Sequence, residues 1–384
     1  MHGTIEQSFR VEWRPLAELS AVAGEWRALA ARALEPNVFY EPAFALAAAG
    51  VFGREAGAGL VWSRATPPRL LGFFPACVAR RRYGIALPLL TGWTHPFGPL
   101  GTPLVERGLS EPVIGAWLDH IARDRHLPKL LLLPFVPEDG AWADVFGNVI
   151  GRRGGRMKSF GRHARALLAP GSERENYLGR ALGRKKRKEL RRQRNRLADQ
   201  GLLMSASIGE SAAVFRAVDD FLALESNGWK GRAGTAARDN EDTRKFLQTA
   251  VTDLASEGKA RVARLLLDAR PIAAIVVLRS ATTAWCWKIA YDERFARFSP
   301  GVELLLDVTR ELLDDPSIVC ADSCADENHP MIDHIWRERL VLADRLVSVD
   351  PEHNTAFRIA CALEAARRAA VTSAKRLRTR LKRK

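Results

Sequence analysis

The stretch Trp287-Lys288-Ile289-Ala290-Tyr291-Asp292-Glu293-Arg294-Phe295-Ala296-Arg297-Phe298-Ser299-Pro300-Gly301 decides how this chain is read, because it passes from an apolar strand through a charged turn into a helix. Upstream, Thr283 to Ala290 carries the aromatic and apolar content of a buried strand. Downstream, Val302, Leu305, Leu306, Val308, Leu312 and Leu313 share one face and predict a helix over Ser299–Leu313. Ser299 suits the N-cap and Pro300 the first helical position. Gly301 allows close approach to the backbone. A helix start of this kind offers N–H groups and a positive dipole end to an anion, although any well-capped helix shares these features. Glu303 stands four residues after Ser299, one too many for a capping box.

Working outward, Arg261–Leu267 and Ile272–Leu278 read as a hairpin joined by Asp268-Ala269-Arg270-Pro271, and Ser317–Asp322 as a further strand. Helices are predicted over Ser211–Ser226 and Glu241–Glu257, with a glycine-rich turn, Gly228–Gly234, between them. A single long basic helix is predicted from Glu175 to about Gln200, stopped by Gly201. The first half shows strands at Leu60–Ser63, Leu70–Ala79 and Ile85–Trp93, a loop His95–Gly101, a helix after Glu111 and a strand at Leu130–Phe135. The order β-β-β-loop-α-β thus occurs twice, which predicts an α/β fold of mixed α+β layers. The segment Ala169–Glu175 marks the boundary, giving domains 1–168 and 169–355 with a basic tail, 356–384.

The net charge of +15 is local. Residues 180–196 hold ten bases against the single acid Glu189, and Arg367–Lys384 holds nine bases and no acid, so the rest of the chain is slightly acidic. Five cysteines suit a reducing compartment better than a disulfide framework. Met1–Arg14 has no apolar core of a secretory signal, and the longest uncharged stretch, Tyr83–Val105, is broken by four prolines and four glycines. A cytoplasmic protein is expected, with a basic tail suited to the inner face of a membrane.

A second cluster, Glu225-Ser226-Asn227-Gly228-Trp229-Lys230-Gly231, joins an acid, an aromatic and a base in a small-residue turn. Glu225-x3-Trp229-Lys230-Gly231-x2-Gly234-Thr235, then Lys288-x2-Tyr291-Asp292-x6-Ser299-Pro300-Gly301, resembles the CelD/BcsL-type acetyltransferases of the GNAT superfamily, distant relatives of the Fem peptidyltransferases. The resemblance covers roughly Glu175–Asp350 and extends weakly to Asn37-Val38-Phe39 and Pro42. It implies tandem GNAT-like folds, splayed mixed sheets flanked by helices, with the first half degenerate. It also implies acetyl-CoA or another acyl-CoA as co-substrate, no metal, and transfer to an amine or hydroxyl on a small molecule or glycan precursor in exopolysaccharide, cellulose or envelope synthesis. Phe298-Ser299-Pro300-Gly301 differs from the common GNAT phosphate loop in having one glycine.

On this reading Lys288, Ser299, Pro300 and Gly301 face the donor, and Trp229 and Lys230 the acceptor. Acyl transfer needs a base for the nucleophile and a proton for the departing thiolate. Asp292, Glu225 and Asp322 are the candidate bases, and Tyr291 the candidate acid. A Fem-like transferase using aminoacyl-tRNA, or a non-catalytic protein binding RNA or another anionic polymer, is the alternative. The basic helix and tail would serve tRNA or an anionic membrane; DNA is not expected. Cys320-x3-Cys324-x4-His329-x4-His334 lacks the usual spacer of a structural zinc site, nothing fixes a cysteine beside a base, and no Walker A or Rossmann loop is present.

Overall fold

The computed structural model describes residues 9–349 and 354–381. Residues 1–8 of the N-terminus and the last three residues of the basic tail lie outside the described residues, as does Asp350 at the end of the resemblance. The chain opens with β1 (Phe9–Pro15), α1 (Ala23–Arg32) and α2 (Pro42–Phe52), followed by β2 (Ala56–Ser63), β3 (Leu70–Ala79), β4 (Leu89–Gly92) and β5 (Leu104–Val105). Next come α3 (Ser110–Arg123), β6 (Leu130–Pro137), α4 (Ala141–Arg152) and β7 (Arg156–Leu168). The middle holds α5 (Tyr177–Ala181), α6 (Arg184–Ala198), β8 (Leu203–Ile208), α7 (Ser211–Asn227), α8 (Trp229–Arg232) and α9 (Glu241–Ser256). The remainder is β9 (Ala260–Leu267), β10 (Arg270–Ser280), β11 (Thr283–Tyr291), α10 (Pro300–Asp314), β12 (Cys320–Asp322), β13 (Glu338–Ser348) and α11 (Asn354–Leu381).

Two compact units form, and they interleave along the chain. The first comprises Met1–Tyr40, Phe52–His163 and Val341–Lys384; the second comprises Glu41–Val51 and Ala164–Leu340. A single cut at 168/169 with a separate tail therefore does not describe them. The segment 41–51 belongs with the second unit because Glu41, 1% exposed, accepts hydrogen bonds from Lys259 (2.8 Å) and Ser280 (2.5 Å). Phe44 then packs edge-on against Phe246 and Trp287, with centroids 5.4 and 5.3 Å away. A buried carboxylate held by a lysine fixes its segment firmly, since separating the pair would strand a charge.

In the first unit the sheet order is β1-β2-β3-β4-β6-β13, with β5 on β3. Antiparallel β2, β3 and β4 lead through α3 to β6, which runs parallel to β4 through Leu90↔Leu131 and Thr91↔Leu132 only. In the second unit the order is β7-β12-β11-β10-β9-β8. Here antiparallel β9, β10 and β11 lead through α10 to β12, parallel to β11 over three residues. The same arrangement, a hairpin followed by a helical crossover to a briefly paired parallel strand, is therefore built twice. It is the tandem GNAT-like fold that the resemblance implies.

Each unit has its own apolar core. Trp117, Trp142, Phe146 and Ile121 fill that of the first, and Leu265, Ile275, Leu305, Val308 and Trp336 that of the second. Among the described residues no helix is long and apolar enough to cross a membrane. The single basic helix predicted from Glu175 is broken: α5 ends at Ala181 and α6 starts at Arg184. Leu182, 5% exposed, takes extended backbone to enter the second core, and a helix cannot continue through it. The hairpin turn is also tighter than predicted. Asp268 and Ala269, both at positive φ, make it alone, and Arg270 and Pro271 pair with Leu267 and Leu266.

The basic tail is partly committed inside the first unit. Glu364, fully buried on α11, accepts hydrogen bonds from Arg82 (3.3 Å), Tyr83 (3.1 Å), Arg367 (2.8 Å) and Arg368 (2.7 Å). Burial alone would raise its pKa, but hydrogen bonds from Arg367 and Arg82 outweigh this and hold it down to about 2. The folded value lies below the unfolded one, so this stability is present above the ordinary carboxylate range and is lost as pH falls from 4.5 towards about 2. We predict that Glu364→Ala, which removes a buried carboxylate shared by Arg82, Arg367 and Arg368, costs about 3–5 kcal/mol in urea-induced unfolding at neutral pH and flattens the acid limb of the stability profile.

Candidate functional site

β11 is paired with β10 along its whole length, with a bulge that places Trp287 between the pairs Val277↔Cys286 and Val276↔Lys288. On its other side the ladder with β12 is short: Thr283↔Cys320, Ala284↔Ala321 and Trp285↔Asp322. β12 ends at Asp322, whereas β11 runs on through Cys286 to Tyr291. At ~3.3 Å per residue β11 runs on for about 20 Å beyond its ladder with β12.

β12 ends at a particular contact. Asp322 and Arg165 are 2% and 3% exposed and form an ion pair. The second carboxylate oxygen of Asp322 accepts the Cys324 N–H at 2.9 Å, and the Ser323 N–H donates to the Ala166 carbonyl at 3.2 Å. Cys324 then turns the chain away at φ +52°. A carboxylate committed to a buried guanidinium and a backbone N–H is poorly placed to accept a substrate proton. The expected role of Asp322 as a base gives way to a structural one.

Asp292 is committed as well. Its Oδ1 accepts the Arg294 N–H at 3.0 Å, and the Arg294 guanidinium straddles the carboxylate at 2.6–3.1 Å. These hydrogen bonds from Arg294 keep the carboxyl below its usual range, so it remains ionised and weakly basic. Asp292 thereby starts the short turn of 3-10 helix Glu293–Phe298 that leads to α10. Ser299 occupies the N-cap position, but in the left-handed region (φ 52°, ψ 49°) and without a side-chain capping bond. Its carbonyl instead accepts from the Val302 and Glu303 N–H groups at 2.9 and 3.1 Å. Pro300 is the first helical residue, as expected. Gly301 faces Tyr291: a Cβ there would lie 3.3 Å from the Tyr291 ring, 3.4 Å from Met331 and 3.5 Å from Ile289.

The turn predicted at Gly228–Gly234 contains the short helix α8. Glu225, buried at the end of α7, accepts from Lys230 Nζ at 2.5 Å and from the Ala237 N–H at 3.0 Å. Glu293 accepts from the Trp229 N–H at 2.8 Å and from Arg232 at 2.7 Å. Two carboxylates thus clamp one loop, and Gly231 lies so close to the Ser226 carbonyl that a Cβ would come within 1.7 Å of it. Glu225 is a clamp more than a poised base. Trp229, 61% exposed, is left at the surface. Lys288 is half-buried, with its ammonium 5.7 Å from the Trp287 ring centroid. Burial first, then the Lys230 charge, pushes its pKa down to about 8.

The structure therefore gathers Glu225, Trp229, Lys230 and Lys288 in one cluster and Tyr291 with Gly301 beside α10, while Asp322 sits in its own ion pair. Two acids escaped the sequence reading as site residues. Glu293 was a turn residue there, although its place directly after Tyr291-Asp292 was visible. Glu303 appeared only as a misplaced capping acid. It is 3% exposed, its Oε2 is 3.5 Å from Arg194, and its Oε1 is buried without a hydrogen-bond partner. Burial, against the opposing charge of Arg194, pushes its pKa up to about 7. The signal for it was Glu303 and Asp307, one turn apart and both facing Arg194 of the base-rich α6.

Among the described residues no group of three or more His, Cys, Asp or Glu side chains is arranged to hold a metal ion.

Residues 184–329, which include α6, the clamped loop, β11 and α10, match the family of acetyltransferase (GNAT) domains. The chain is similar in structure to FemX, with a TM-score of 0.57 at 9% identity, covering 86% of this chain and 96% of that one. It is also similar to the C-terminal domain of a putative lysylphosphatidylglycerol synthetase from Agrobacterium fabrum, with a TM-score of 0.54 at 11% identity, covering 85% and 91%. A conserved protein of unknown function from Bacteroides thetaiotaomicron gives a TM-score of 0.52 at 8% identity, covering 88% and 99%. At such identities these likenesses speak to the fold. No curated protein matches the chain. Residues 184–329 of the second unit thus carry a GNAT-type acetyltransferase domain, which supports acyltransferase activity.

The structural reading of Asp322 separates from a catalytic one by experiment. We predict that Asp322→Ala lowers stability by about 3–5 kcal/mol in chemical denaturation, because it removes the buried carboxylate that pairs with Arg165. A variant that loses activity at unchanged stability would restore Asp322 as a base.

Proposed function

We propose that this protein transfers an acyl group from coenzyme A to an amine or hydroxyl. The observation that carries the reading is the parting of β11 from β12 directly ahead of the Ser299-Pro300-Gly301 start of α10. An extended pantetheine arm is slender enough to lie along a strand in such a gap, and a helix start favours the pyrophosphate at its far end. Ser299 in the left-handed region turns the chain into α10, and Gly301 keeps that approach low. The bulge at Trp287 rotates the backbone ahead of Lys288, a common device for re-aiming groups beside an active site. Tyr291, packed on Gly301, is the group best placed to return a proton to the thiolate.

Asp292, Glu225 and Asp322 are each held by a cationic side chain, Glu225 by Lys230 of the clamped loop. Trp229 and Lys230, on that loop, face the acceptor on this reading. The likeness to CelD/BcsL-type enzymes favours a sugar or polysaccharide precursor as that acceptor, and a cytoplasmic site of action.

A second reading, transfer from an aminoacyl-tRNA, is favoured by α6, where Arg184, Lys185, Lys186, Arg187, Lys188, Arg191, Arg192 and Arg196 are all exposed. An anionic membrane surface is the other partner such a helix suits. Calorimetric titration separates the donors. The coenzyme reading expects saturable acetyl-CoA binding, weakened about tenfold or more by Gly301→Val, whose branched side chain collides with Tyr291 and Met331. Undetectable acetyl-CoA binding by folded protein, with tRNA binding that falls steeply as salt rises, would favour the second.

A further inference from the structure

The base-rich helix α6 packs against α10 and against the turn Glu293–Phe298 that leads into it. Leu190 and Leu197 of α6 are buried in the same core as Phe298 and Leu304. Between those two leucines Arg194 reaches a pair of carboxylates, Glu303 and Asp307, set one turn apart on α10. The donors are shared unequally. Asp307 accepts from Arg194 at 3.0 and 3.3 Å, from Arg310 at 2.7 Å and from the Ser205 hydroxyl of β8. Glu303 is left with Arg194 at 3.5 Å from Oε2, longer than a good charge-assisted hydrogen bond, while its Oε1 is buried without a hydrogen-bond partner. Other cations near α10 are engaged elsewhere: Arg261 of β9 pairs with Glu311 two turns further on (3.1 Å), and Arg174 donates to carbonyls at the far end of the helix. Arg310 is more than half exposed, so water screens its charge. A carboxyl group that gives up its water without gaining donors favours its neutral form. In keeping with this, burial, against the opposing charge of Arg194 and with the help of Asp307, raises the pKa of Glu303 from 4.5 to about 7.

We propose that Glu303, Asp307 and Arg194 form a proton-operated latch between α10 and α6: α6 stays seated while Glu303 is neutral and loosens when Glu303 ionises. Once Glu303 is charged, two carboxylates one turn apart share one guanidinium, and Oε1 carries charge in a place with no donor. Separating the C-terminal part of α6 from α10 relieves that cost, because water then reaches Oε1. The seated form has the higher pKa and so binds more protons than the open one. Its advantage is fully present below the ordinary value of 4.5 and is lost as pH rises through about 7. Loosening α6 frees its exposed bases from the body of the second unit, so the latch sets how the strongest run of positive charge is presented to an anionic partner. The latch is the same whichever acyl donor the protein uses.

Hydrogen exchange of the full chain reads the latch directly, followed by mass spectrometry between about pH 5 and about pH 8 and corrected for the intrinsic pH dependence of amide exchange. α9 serves as the internal reference. We expect protection around Arg194 in α6 to fall at least about tenfold relative to α9 across that range, and to change little above it. Glu303→Gln, which cannot ionise, is expected to keep α6 at its low-pH protection throughout. Asp307→Asn removes the neighbouring negative charge and frees Arg194 for Glu303, so the fall persists with its midpoint moved to lower pH. Both variants are first checked for native circular dichroism. A fall in α6 protection that is the same in Glu303→Gln as in the natural chain would overturn the latch, and so would natural-chain protection that does not vary with pH. Where Glu303→Gln does not fold, Asp307→Asn decides: an unmoved midpoint sinks the proposal, and a lowered one upholds it.

Discussion

The buried ion pair between Arg165 and Asp322 is the constraint on which the second unit turns. Asp322 is the last residue of β12, and its carboxylate holds both the guanidinium and the Cys324 N–H. With that commitment β12 cannot extend alongside β11, and Cys324 at positive φ sends the chain elsewhere. A parallel pair that would otherwise zip further is stopped after three residues. The parting of the strands, and any ligand space between them, follows from where one charge was buried. Two charges taken out of water cost several kcal/mol each, and only their mutual attraction with added hydrogen bonds offsets that, so the position is sharply defined.

The same economy recurs around the loop 229–237. Glu225 and Glu293 each accept one backbone N–H and one cationic side chain, so the loop is fixed at both ends by carboxylates that might have been taken for catalysts. Asp292 does likewise for the turn into α10. In this half of the molecule, acids chiefly set geometry, and the groups whose charge is disfavoured are Lys288, desolvated beside the charge of Lys230, and Glu303, buried with one oxygen unpartnered. Their perturbation has the opposite origin from that of Asp292, which is stabilised in its ionised form.

How much of this could be read from the sequence depended on range. The hairpin β9–β10, β11, α7, α9 and α10 announced themselves through periodicity and local capping, and their bounds differ from expectation by a few residues. β7 did not, because its first residues expose Arg156, Met157, Lys158 and Ser159 to water and show no apolar alternation. β8, a half-exposed edge strand (Leu-Met-Ser-Ala-Ser-Ile) without clear alternation, and β13, which alternates poorly, were missed for similar reasons. Motif spacing singled out these residues as a group, yet the partners that hold each of them were hidden. Asp292 and Arg294 are two residues apart, and their pairing was open to inspection. Arg165 and Asp322 are 157 residues apart, and nothing in composition or spacing joins them.

The interleaving of the two units bears on synthesis. The ribosome delivers Glu41–Val51 before the greater part of the first unit, but Glu41's partners, Lys259 and Ser280, emerge more than two hundred residues later. The first unit in turn waits for Val341 onward before β13 can join β6. Neither unit is complete when the halfway point of the chain leaves the tunnel. Folding is therefore post-translational in its decisive steps, and a nascent chain carries an acidic residue and an apolar helix that must be kept from aggregation until their lysine and aromatic partners arrive.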